Sequence, residues 1–359
     1  MHEPKISITQ EFLGLIAEID EFKGQWASLK NLSPDRLGRL RKVATIESIG
    51  SSTRIEGSKL TDSEVEKLLG AINITSFKSR DEEEVAGYAE TMDIVFQAHP
   101  EMSVTENHIK QLHQMLLRHS TKDERHRGNY KTLPNNVVAK NENGEVIGII
   151  FETETPFDTP REMEDLVHWV NKATTEKALH PLLIVAVFIV EFLAIHPFQD
   201  GNGRLSRILT TLTLLRFGYL YVPYASLESV IEENKELYYR GLRRTQISLK
   251  SDKPDWEPWI GFFLRCLKKQ KDNLSVKIER EKVLDDRHLP ELSARVLELL
   301  QEHKRLTISE LVESTGANQN TLKVRLRELV ESGRIERHGK ARATWYVMRT
   351  AGESANYIL

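Results

Sequence analysis

The sequence has a single cysteine, Cys266, in 359 residues. It can therefore form no disulfide within the chain and no metal cluster with several cysteine ligands, and this usage fits a reducing compartment. The longest apolar run, residues 182–195, includes Glu191 and is shorter than the roughly 20 apolar residues that a membrane span requires. We interpret it as a buried helix. The N-terminus lacks the basic and apolar segments of a secretory signal, so we expect a cytoplasmic protein.

The sequence also lacks an excess of either charge, because 50 Lys and Arg face 53 Asp and Glu. The surface as a whole is therefore not expected to attract polyanions, and any contact with nucleic acid must be confined to a local basic patch. Proline and glycine are sparse, at 12 and 19 residues, and apolar residues recur three and four positions apart. This pattern predicts a mainly α protein, and the length predicts two or three domains at roughly 100–200 residues each.

Capping signals predict where several helices begin. Ser33 and Pro34 resemble an N-cap and first-turn pair, and Thr61 with Glu64 forms a capping box. The stretch 50–58 is predicted to lie between two helices. Further helices are predicted at residues 82–98, 105–118, 160–171, 180–195 and 205–217, the fourth of which is apolar on all sides and should be the central helix.

A β-hairpin is predicted to interrupt these helices. Residues 135–139 and 146–151 are rich in β-branched residues, and Asn143-Gly144 lies between them. Asn-Gly between two such segments is the strongest short-range signal for a hairpin.

Residues 290–349 have the pattern of a winged helix-turn-helix. Helices are predicted at residues 293–301, 308–314 and 320–332, with a turn at Gly316, and short strands at 335–337 and 344–347. This unit carries 11 Lys and Arg against 8 Glu, so it is modestly basic. It either binds DNA or docks a protein or a second copy of the chain. If it binds DNA, the contact candidates are Asn318, Gln319, Asn320, Lys323 and Arg327.

Residues that could perform chemistry are concentrated between His196 and Arg207. Pro197 disfavours helical geometry at the preceding residue, so the long apolar helix should end at His196 and present its imidazole there. Histidine has the side-chain pKa nearest neutrality and suits a general base that takes a proton from a hydroxyl. Taken alone, a histidine at this position is more often a C-terminal cap, and the neighbouring residues reverse that interpretation.

A glycine turn follows and leads into the next apolar helix. Gly201, Asn202 and Gly203 leave the backbone free to direct successive N–H groups at one anion, next to a helix N-terminus. Arg204 and Arg207 are three residues apart and therefore share a face of that helix. Two cations there oppose the helix dipole, and a bound anion would compensate them. These residues predict a phosphate cradle.

Asp200 precedes the cradle and offers a hard oxygen ligand that suits Mg²⁺ bound to phosphates. The alternative for Asp200 is a helix N-cap, and Phe198 is predicted to anchor the loop in the core. A base, a metal carboxylate, an amide cradle and two arginines within twelve residues indicate a site for a phosphate ester or anhydride.

The run from His196 to Arg207 matches the Fic family motif His-x-Phe-x-Asp/Glu-Gly-Asn-Gly-Arg-x-x-Arg at every defined position. The chain thus resembles the Fic proteins, mostly α-helical enzymes that typically transfer AMP from ATP to a Ser, Thr or Tyr hydroxyl of a protein. The resemblance implies that His196 deprotonates the hydroxyl and that Asp200 holds Mg²⁺. The ATP-binding residues that it implies are Gly201, Asn202, Gly203, Arg204, Leu205, Ser206, Arg207, Tyr238, Tyr239 and Gln246.

The hairpin resembles the family's flap, which holds a target segment by strand addition. The implied flap residues are Ile150, Phe151, Glu152 and Thr153. Family members usually have Gly-x-Phe/Tyr-Arg ahead of the flap, whereas this chain has Lys131 in the last position. The longer turn at residues 141–145 also differs from a short flap.

An upstream segment, residues 52–57, fits the inhibitory motif Ser/Thr-x-x-x-Glu-Gly/Asn of the family. The resemblance implies that Ser52 and Glu56 are inhibitory and that Glu56 pairs with Arg207. Such a charge-assisted pair competes directly with a phosphate oxygen, so we expect a resting enzyme that transfers weakly. In some relatives the same glutamate places a water that removes AMP.

The predicted domain order is a helical region with the inhibitory helix (1–99), a Fic catalytic core (100–248), a helical connector (249–289) and the winged helix (290–349). The main hypothesis is a self-inhibited protein adenylyltransferase that uses ATP and Mg²⁺, with an unidentified protein target, no membrane and a possible homodimer. The alternative is a DNA-binding regulator whose Fic core senses a nucleotide. A metal phosphohydrolase would need more ligands than one histidine and one carboxylate.

Overall fold

The computed structural model describes residues 3–28, 34–70, 77–140, 146–285, 290–303, 305–339 and 344–349. It confirms a mainly α fold, with fourteen α-helices in the described residues. The chain divides into two compact units, Met1–Leu274 and Ser275–Leu359. The finer division into four segments stays a prediction. None of the helices described is long and apolar enough to cross a membrane.

The first unit is an assembly of helices with one β-hairpin. A 3₁₀ turn at Val222–Tyr224 lies between two of these helices. The elements are α1 (Gln10–Ser28), α2 (Pro34–Ile55), α3 (Asp62–Gly70), α4 (Arg80–Ala98), α5 (Glu106–Leu116), β1 (Val137–Lys140), β2 (Val146–Phe151), α6 (Thr159–Glu176), α7 (Pro181–Ile195), α8 (Asn202–Arg216), α9 (Leu227–Glu233), α10 (Lys235–Ser248) and α11 (Glu257–Asp285), the last of which continues into the second unit.

Helix α7 is the centre of this unit, as its apolar sequence predicts. Every residue from Leu182 to Ile195 except Glu191 is buried. Pro181 at the first helical position needs no N–H partner there, and the ring of His180 accepts a hydrogen bond of 3.3 Å from the Leu182 amide. Such a helix forms a rigid support for whatever residue follows its C-terminus.

Helix α2 corrects the prediction that residues 50–58 lie between helices, because it continues to Ile55. Gly50 lies within the helix, and a Cβ there would lie 2.6 Å from both Arg54 Nη1 and Asp62 Oδ1, so a larger residue would displace the ends of these two side chains. The helix then ends in a turn at Gly57, whose φ of 109° favours glycine. The predicted N-cap Ser33 lies outside the described residues, and the capping box at Thr61 is confirmed by a 2.8 Å bond from its amide to Glu64.

The predicted hairpin is confirmed by the antiparallel pairing of β1 with β2. The backbone register pairs Val138 with Ile149 and Ala139 with Gly148, with irregularities on either side. The Asn143-Gly144 turn lies outside the described residues.

The second unit contains the predicted winged helix. Helices α12 (Glu291–Glu302), α13 (Ile308–Thr315) and α14 (Gln319–Glu331) pack around buried Leu297, Leu311 and Leu322. Strands β4 (Ile335–His338) and β5 (Trp345–Met348) form the wing. A third strand, β3 (Leu306–Thr307), pairs with β5. It was not predicted, because two residues are too few to show an alternating pattern.

Candidate active site

His196 lies where the apolar helix α7 ends, as Pro197 predicts. It adopts left-handed backbone angles, φ 53° and ψ 59°, and its amide donates to Phe192 O at 2.9 Å. Its Nδ1 lies 3.3 Å from Leu193 O. A carbonyl can only accept, so we assign the ring proton to Nδ1 and the free lone pair to Nε2. Burial lowers the pKa of His196 to about 4, so the imidazole is neutral and able to accept a proton near pH 7.

Two side chains that the sequence analysis did not propose as functional fix the backbone around His196. Lys131 Nζ donates to Ile195 O at 2.9 Å. Asn135 Nδ2 donates to His196 O at 3.0 Å and to Phe198 O at 2.6 Å. Burial lowers the pKa of Lys131 to about 8. Lys131 thus supplies a buried cation where the family pattern has arginine, and it satisfies a carbonyl that the end of α7 leaves free.

Thr153 connects the base of the hairpin to this network. Its hydroxyl accepts from Lys131 Nζ at 3.0 Å and its amide donates to Asn136 Oδ1 at 3.1 Å. Of the other implied flap residues, Phe151 is half-buried and Glu152 is exposed. The side chain of Ile150 lies outside the description.

The glycine turn closes on itself through Asn202. Its Oδ1 accepts from the Phe198 amide at 2.9 Å and its Nδ2 donates to Phe198 O at 2.7 Å. Gly201 is the N-cap of α8 with φ 79°, a left-handed conformation that favours glycine. The predicted anchor Phe198 is fully buried. The turn is therefore held rigidly at the N-terminus of α8.

His113 supports the same turn and was missed, because nothing in its local sequence signals the role. Its Nε2 lies 3.0 Å from Asp200 O, its Nδ1 accepts from the Gly128 amide at 2.8 Å, and its ring stacks on Phe198 at 3.8 Å. Burial lowers the pKa of His113 to about 4. A neutral ring with one donor and one acceptor satisfies both backbone partners.

Asp200 points its carboxylate at several donors. Oδ1 accepts from the Gly201 amide at 2.7 Å and Oδ2 accepts from Arg80 at 2.8 Å. Burial opposes ionisation, but the charge of Arg204 and the Gly201 amide outweigh it and lower the pKa of Asp200. The group is therefore an ionised, partly exposed carboxylate, as a Mg²⁺ ligand must be.

Ser52 and Glu56 meet Arg207 as the inhibitory motif predicts. The guanidinium donates to Ser52 Oγ at 2.8 Å through Nε, and to Ser52 O at 2.9 Å and Glu56 Oε1 at 2.8 Å through Nη2. Burial disfavours the charged arginine, but Glu56 outweighs it and raises the pKa of Arg207. The Glu56 carboxylate also covers the glycine turn, because a Cβ on Gly203 would lie 2.2 Å from Glu56 Oε1.

Buried donors remain available in this pocket. Within the described part of the chain, Arg204 Nε and Arg207 Nη1 are buried without a hydrogen-bond partner, and Arg204 Nη1 makes only an ion-pair contact with Glu84 Oε2 at 3.2 Å. Unsatisfied buried donors are costly and call for an acceptor, and phosphate oxygens are suitable acceptors. Among the same residues no group of three His, Cys, Asp or Glu could hold a metal alone. A Mg²⁺ ion bound by Asp200 together with substrate phosphates fits this arrangement.

The other implied ATP-binding residues differ in exposure. Leu205 and Ser206 are buried in α8, and Ser206 Oγ donates to Gly203 O at 2.7 Å. Tyr238 is buried and packs edge-on against Trp259. Tyr239 is 45% exposed beside it, and Gln246 is buried about two turns further along α10. Of the two tyrosine rings, only that of Tyr239 is exposed enough for the nucleobase of ATP to contact it.

The candidate DNA-contacting residues lie at the start of α14 and along it. Asn320, Lys323 and Arg327 are exposed, and their spacing of three and four places them on one face. Asn318 is the N-cap of this helix and accepts from the Asn320 amide at 2.8 Å, and Gln319 is exposed next to it.

Comparison with known protein families finds two matching domains. The Fic/DOC family model matches residues 103–214, and a winged helix-turn-helix DNA-binding model matches residues 290–336. Among curated proteins, the chain is 27% identical over 296 residues to protein adenylyltransferase Fic of Drosophila virilis, covering 80% of this chain and 55% of that protein. The corresponding Drosophila grimshawi protein is 27% identical over 240 residues, or 66% and 44%. The chain spans about half the length of these curated relatives.

Two solved structures share the fold. A Fic domain-containing signaling protein from Bacteroides thetaiotaomicron VPI-5482 is 27% identical with a TM-score of 0.60, over 74% of this chain and 97% of that one. A Fic family protein from Desulfovibrio desulfuricans G20 is 25% identical with a TM-score of 0.60, over 98% of this chain and 100% of that one. The chain therefore contains a domain of the Fic/DOC family followed by a winged helix-turn-helix domain.

Proposed function

We propose that this protein is a self-inhibited protein adenylyltransferase, which transfers AMP from ATP to a Ser, Thr or Tyr hydroxyl of a target protein and of itself. One observation carries the proposal: the neutral imidazole at the end of α7 adjoins a glycine turn and two buried arginines with free donors, and a carboxylate covers that turn. The names of the curated relatives support the same activity.

In the proposed reaction, His196 acts as the general base. Its Nε2 accepts the proton of the target hydroxyl as that oxygen bonds to the α-phosphorus of ATP. The bond from this phosphorus to the oxygen that bridges to the β-phosphate breaks, and pyrophosphate leaves with its electron pair. The free N–H groups of Arg204 and Arg207 would stabilise the charge that builds on the leaving phosphates.

Other residues of the site would position the general base, the metal ion and the two substrates. The network of Lys131 and Asn135 fixes the carbonyls on either side of His196 and so holds the imidazole at the end of its helix. Asp200 would hold Mg²⁺, which when bound neutralises phosphate charge. The edge of the hairpin would align a target segment by strand addition, and Tyr239 and Gln246 would lie near the adenine of ATP.

We also propose a cytoplasmic location for the protein.

The position of Glu56 supports the proposed self-inhibition. Its Oε1 accepts from Arg207 and lies over Gly203, so a phosphate oxygen and this carboxylate compete for one space and one donor. Because both are anions, they cannot share it without strong repulsion. The resting protein should therefore transfer AMP slowly.

Intact mass spectrometry tests the proposal. The full chain with Glu56→Gly is incubated with Mg²⁺ and each nucleoside triphosphate in turn, and we expect the mass of one or more AMP groups to be added with ATP. The double variant with His196→Ala should gain no mass. The proposal is wrong if the Glu56→Gly protein binds ATP but modifies neither itself nor any protein of a cell lysate.

The same sample tests removal of AMP, the second role that the inhibitory glutamate has in some relatives. Wild-type protein is added to AMP-modified Glu56→Gly protein after the ATP has been removed. Loss of the added mass would show that Glu56 also supports hydrolysis, and a constant mass would limit it to inhibition.

The second candidate function is a DNA-binding regulator whose Fic core senses a nucleotide. It is favoured by the winged-helix match at residues 290–336 and by the exposed face of Asn320, Lys323 and Arg327. Such a regulator needs no general base, so its DNA binding should be unaffected by His196→Ala. DNA binding and AMP transfer are compatible in one chain.

A further inference from the structure

Asp200 and Arg204 belong to a closed ring of four charges whose other two members lie on α4. Arg80 contacts Asp200 Oδ2 through Nη2 at 2.8 Å and Glu84 Oε1 through Nε at 2.8 Å. Glu84 Oε2 lies 3.2 Å from Arg204 Nη1, and Arg204 Nη2 lies 3.5 Å from Asp200 Oδ1. Each carboxylate therefore bridges both guanidinium groups.

One half of the ring is buried and the other is open. The side chains of Arg204 and Glu84 are 3% and 11% exposed, whereas those of Arg80 and Asp200 are 45% and 36% exposed. A buried ion pair is costly to break, but an exposed pair exchanges at little cost. The weak point of the ring is therefore the contact between Arg80 and Asp200.

That contact uses the oxygen that a metal would need. Asp200 Oδ1 already accepts from the Gly201 amide at 2.7 Å, so Oδ2 is its more available atom. Oδ2 accepts from Arg80 at 2.8 Å. Two cations on one oxygen repel each other, so an incoming divalent ion must move the guanidinium away.

We infer that Arg80 is a placeholder cation, which occupies the metal-binding oxygen of Asp200 in the resting protein and is displaced when the divalent ion arrives with nucleotide. This inference rests on the proposed function. Arg80 is a positioning residue in this role, since it acts through Asp200. Displacement leaves Arg80 paired with Glu84, four residues along the same helix, while Glu84 still neutralises Arg204. The exchange therefore needs only a side-chain movement at the solvent edge.

Metal binding, measured apart from activity, tests the inference. The full chain with Glu56→Gly is saturated with the α,β-methylene analogue of ATP and titrated with Mn²⁺, and free Mn²⁺ is followed by electron paramagnetic resonance. Adding Arg80→Gln should lower the Mn²⁺ dissociation constant about three- to fivefold, the range expected for loss of a competing exposed ion pair. Arg80→Lys keeps the positive charge and should stay within about twofold of the parent.

Lys122→Gln is the matched control for long-range charge. Burial raises the pKa of Asp200, whereas the charges of Arg204, Arg80 and Lys122 lower it. Lys122 is exposed and is not among the ion-pair partners of Asp200 in the described residues. Its removal should change the dissociation constant much less than that of Arg80.

An unchanged or weaker Mn²⁺ affinity in Arg80→Gln would overturn the inference, and so would an equal gain in Lys122→Gln. Either result leaves the proposed function intact, because the parent still binds nucleotide and metal. If the Glu56→Gly parent bound neither Mn²⁺ nor the analogue, the proposed function would fail together with this inference.

Discussion

Glu56 and Arg207 are 151 residues apart in the sequence, yet Glu56 Oε1 accepts a 2.8 Å hydrogen bond from Arg207 Nη2. The same oxygen lies over Gly203, where a Cβ would approach it to 2.2 Å. This one oxygen atom thus pairs with the arginine and also covers the glycine turn. Removal of this carboxylate exposes two anion-binding elements together.

The first prediction concerns nucleotide affinity. Glu56→Gly should bind the α,β-methylene analogue of ATP about tenfold or more tightly than wild type, since a hydrogen bond to a charged group contributes about 1.5–3 kcal/mol. Glu56→Gln keeps the size of the side chain but loses its charge, so it should be intermediate. Isothermal titration calorimetry measures all three. Glu66→Gln, which removes an exposed carboxylate on α3, is the control and should match wild type.

The C-terminal end of α2, which precedes Glu56, is held in place by Arg54, one residue before the last residue of the helix. Arg54 forms a double contact with Glu232 on α9, at 2.7 Å through Nε and 3.0 Å through Nη2, and donates to Asp62 on α3 at 2.8 Å. These partners fix the position of the helix end, and therefore of Glu56 two residues later.

The second prediction is that Arg54→Ala raises the rate of self-modification about three- to tenfold, less than Glu56→Gly, because the loosened helix end would release Arg207 for part of the time. Incorporation of labelled AMP measures the rate. Lys42→Ala is the control, since it removes an exposed ion pair between α2 and α3 and should leave the rate unchanged. A wild-type rate in both Arg54→Ala and Glu232→Gln would contradict the role of Arg54 and Glu232 in holding the helix end.

The sequence was sufficient to predict the local backbone geometry of residues 196–207 because its requirements are local. Pro197 ends α7, so that His196 directly follows its last residue. The left-handed backbone angle at Gly201 suits its residue type, and the spacing of Arg204 and Arg207 places both on one face of α8. The same applies to the mainly α fold and the winged helix, whose periodic apolar positions became the cores.

The remaining features depend on contacts between distant segments. The continuation of α2 past Gly50 brings Arg54 to its partners Glu232 on α9 and Asp62 on α3, which helix periodicity does not reveal. Lys131 contacts Ile195, His113 contacts Asp200 and Arg80 contacts Asp200. These three contacts join residues that are 64 to 120 positions apart. No local pattern identifies such partners.

The third prediction concerns stability in acid. The pKa values of His113 and His196 are both lowered to about 4 by burial, against about 6.5 in an unfolded chain. Between these values the unfolded state binds more protons, so stability is lost as the pH falls from about 6.5 to 4. Urea unfolding at several pH values should show this loss. In His196→Ala the slope over that window should decrease by up to one proton, and an unchanged slope would contradict the shifted pKa of His196.

The fourth prediction concerns the exposed face of α14. Asn320, Lys323 and Arg327 are exposed, whereas Leu322 and Leu326 on another face of the helix are buried, so the three polar side chains are accessible to a DNA backbone. Fluorescence anisotropy with a random-sequence duplex should show binding by the full chain that weakens steeply with salt. Lys323→Ala should reduce affinity on every sequence and lower the salt slope by about 1.

Arg325→Ala is the matched control on the same helix, because Arg325 is paired with Glu328 at 2.8 Å and its charge is already neutralised locally. It should retain most of the affinity, since a guanidinium held by a carboxylate releases few counterions from DNA. Equal losses in Lys323→Ala and Arg325→Ala would indicate only a general effect of net charge. Complete absence of salt-dependent binding by the full chain would instead favour the alternative, in which this surface docks a protein or a second copy of the chain.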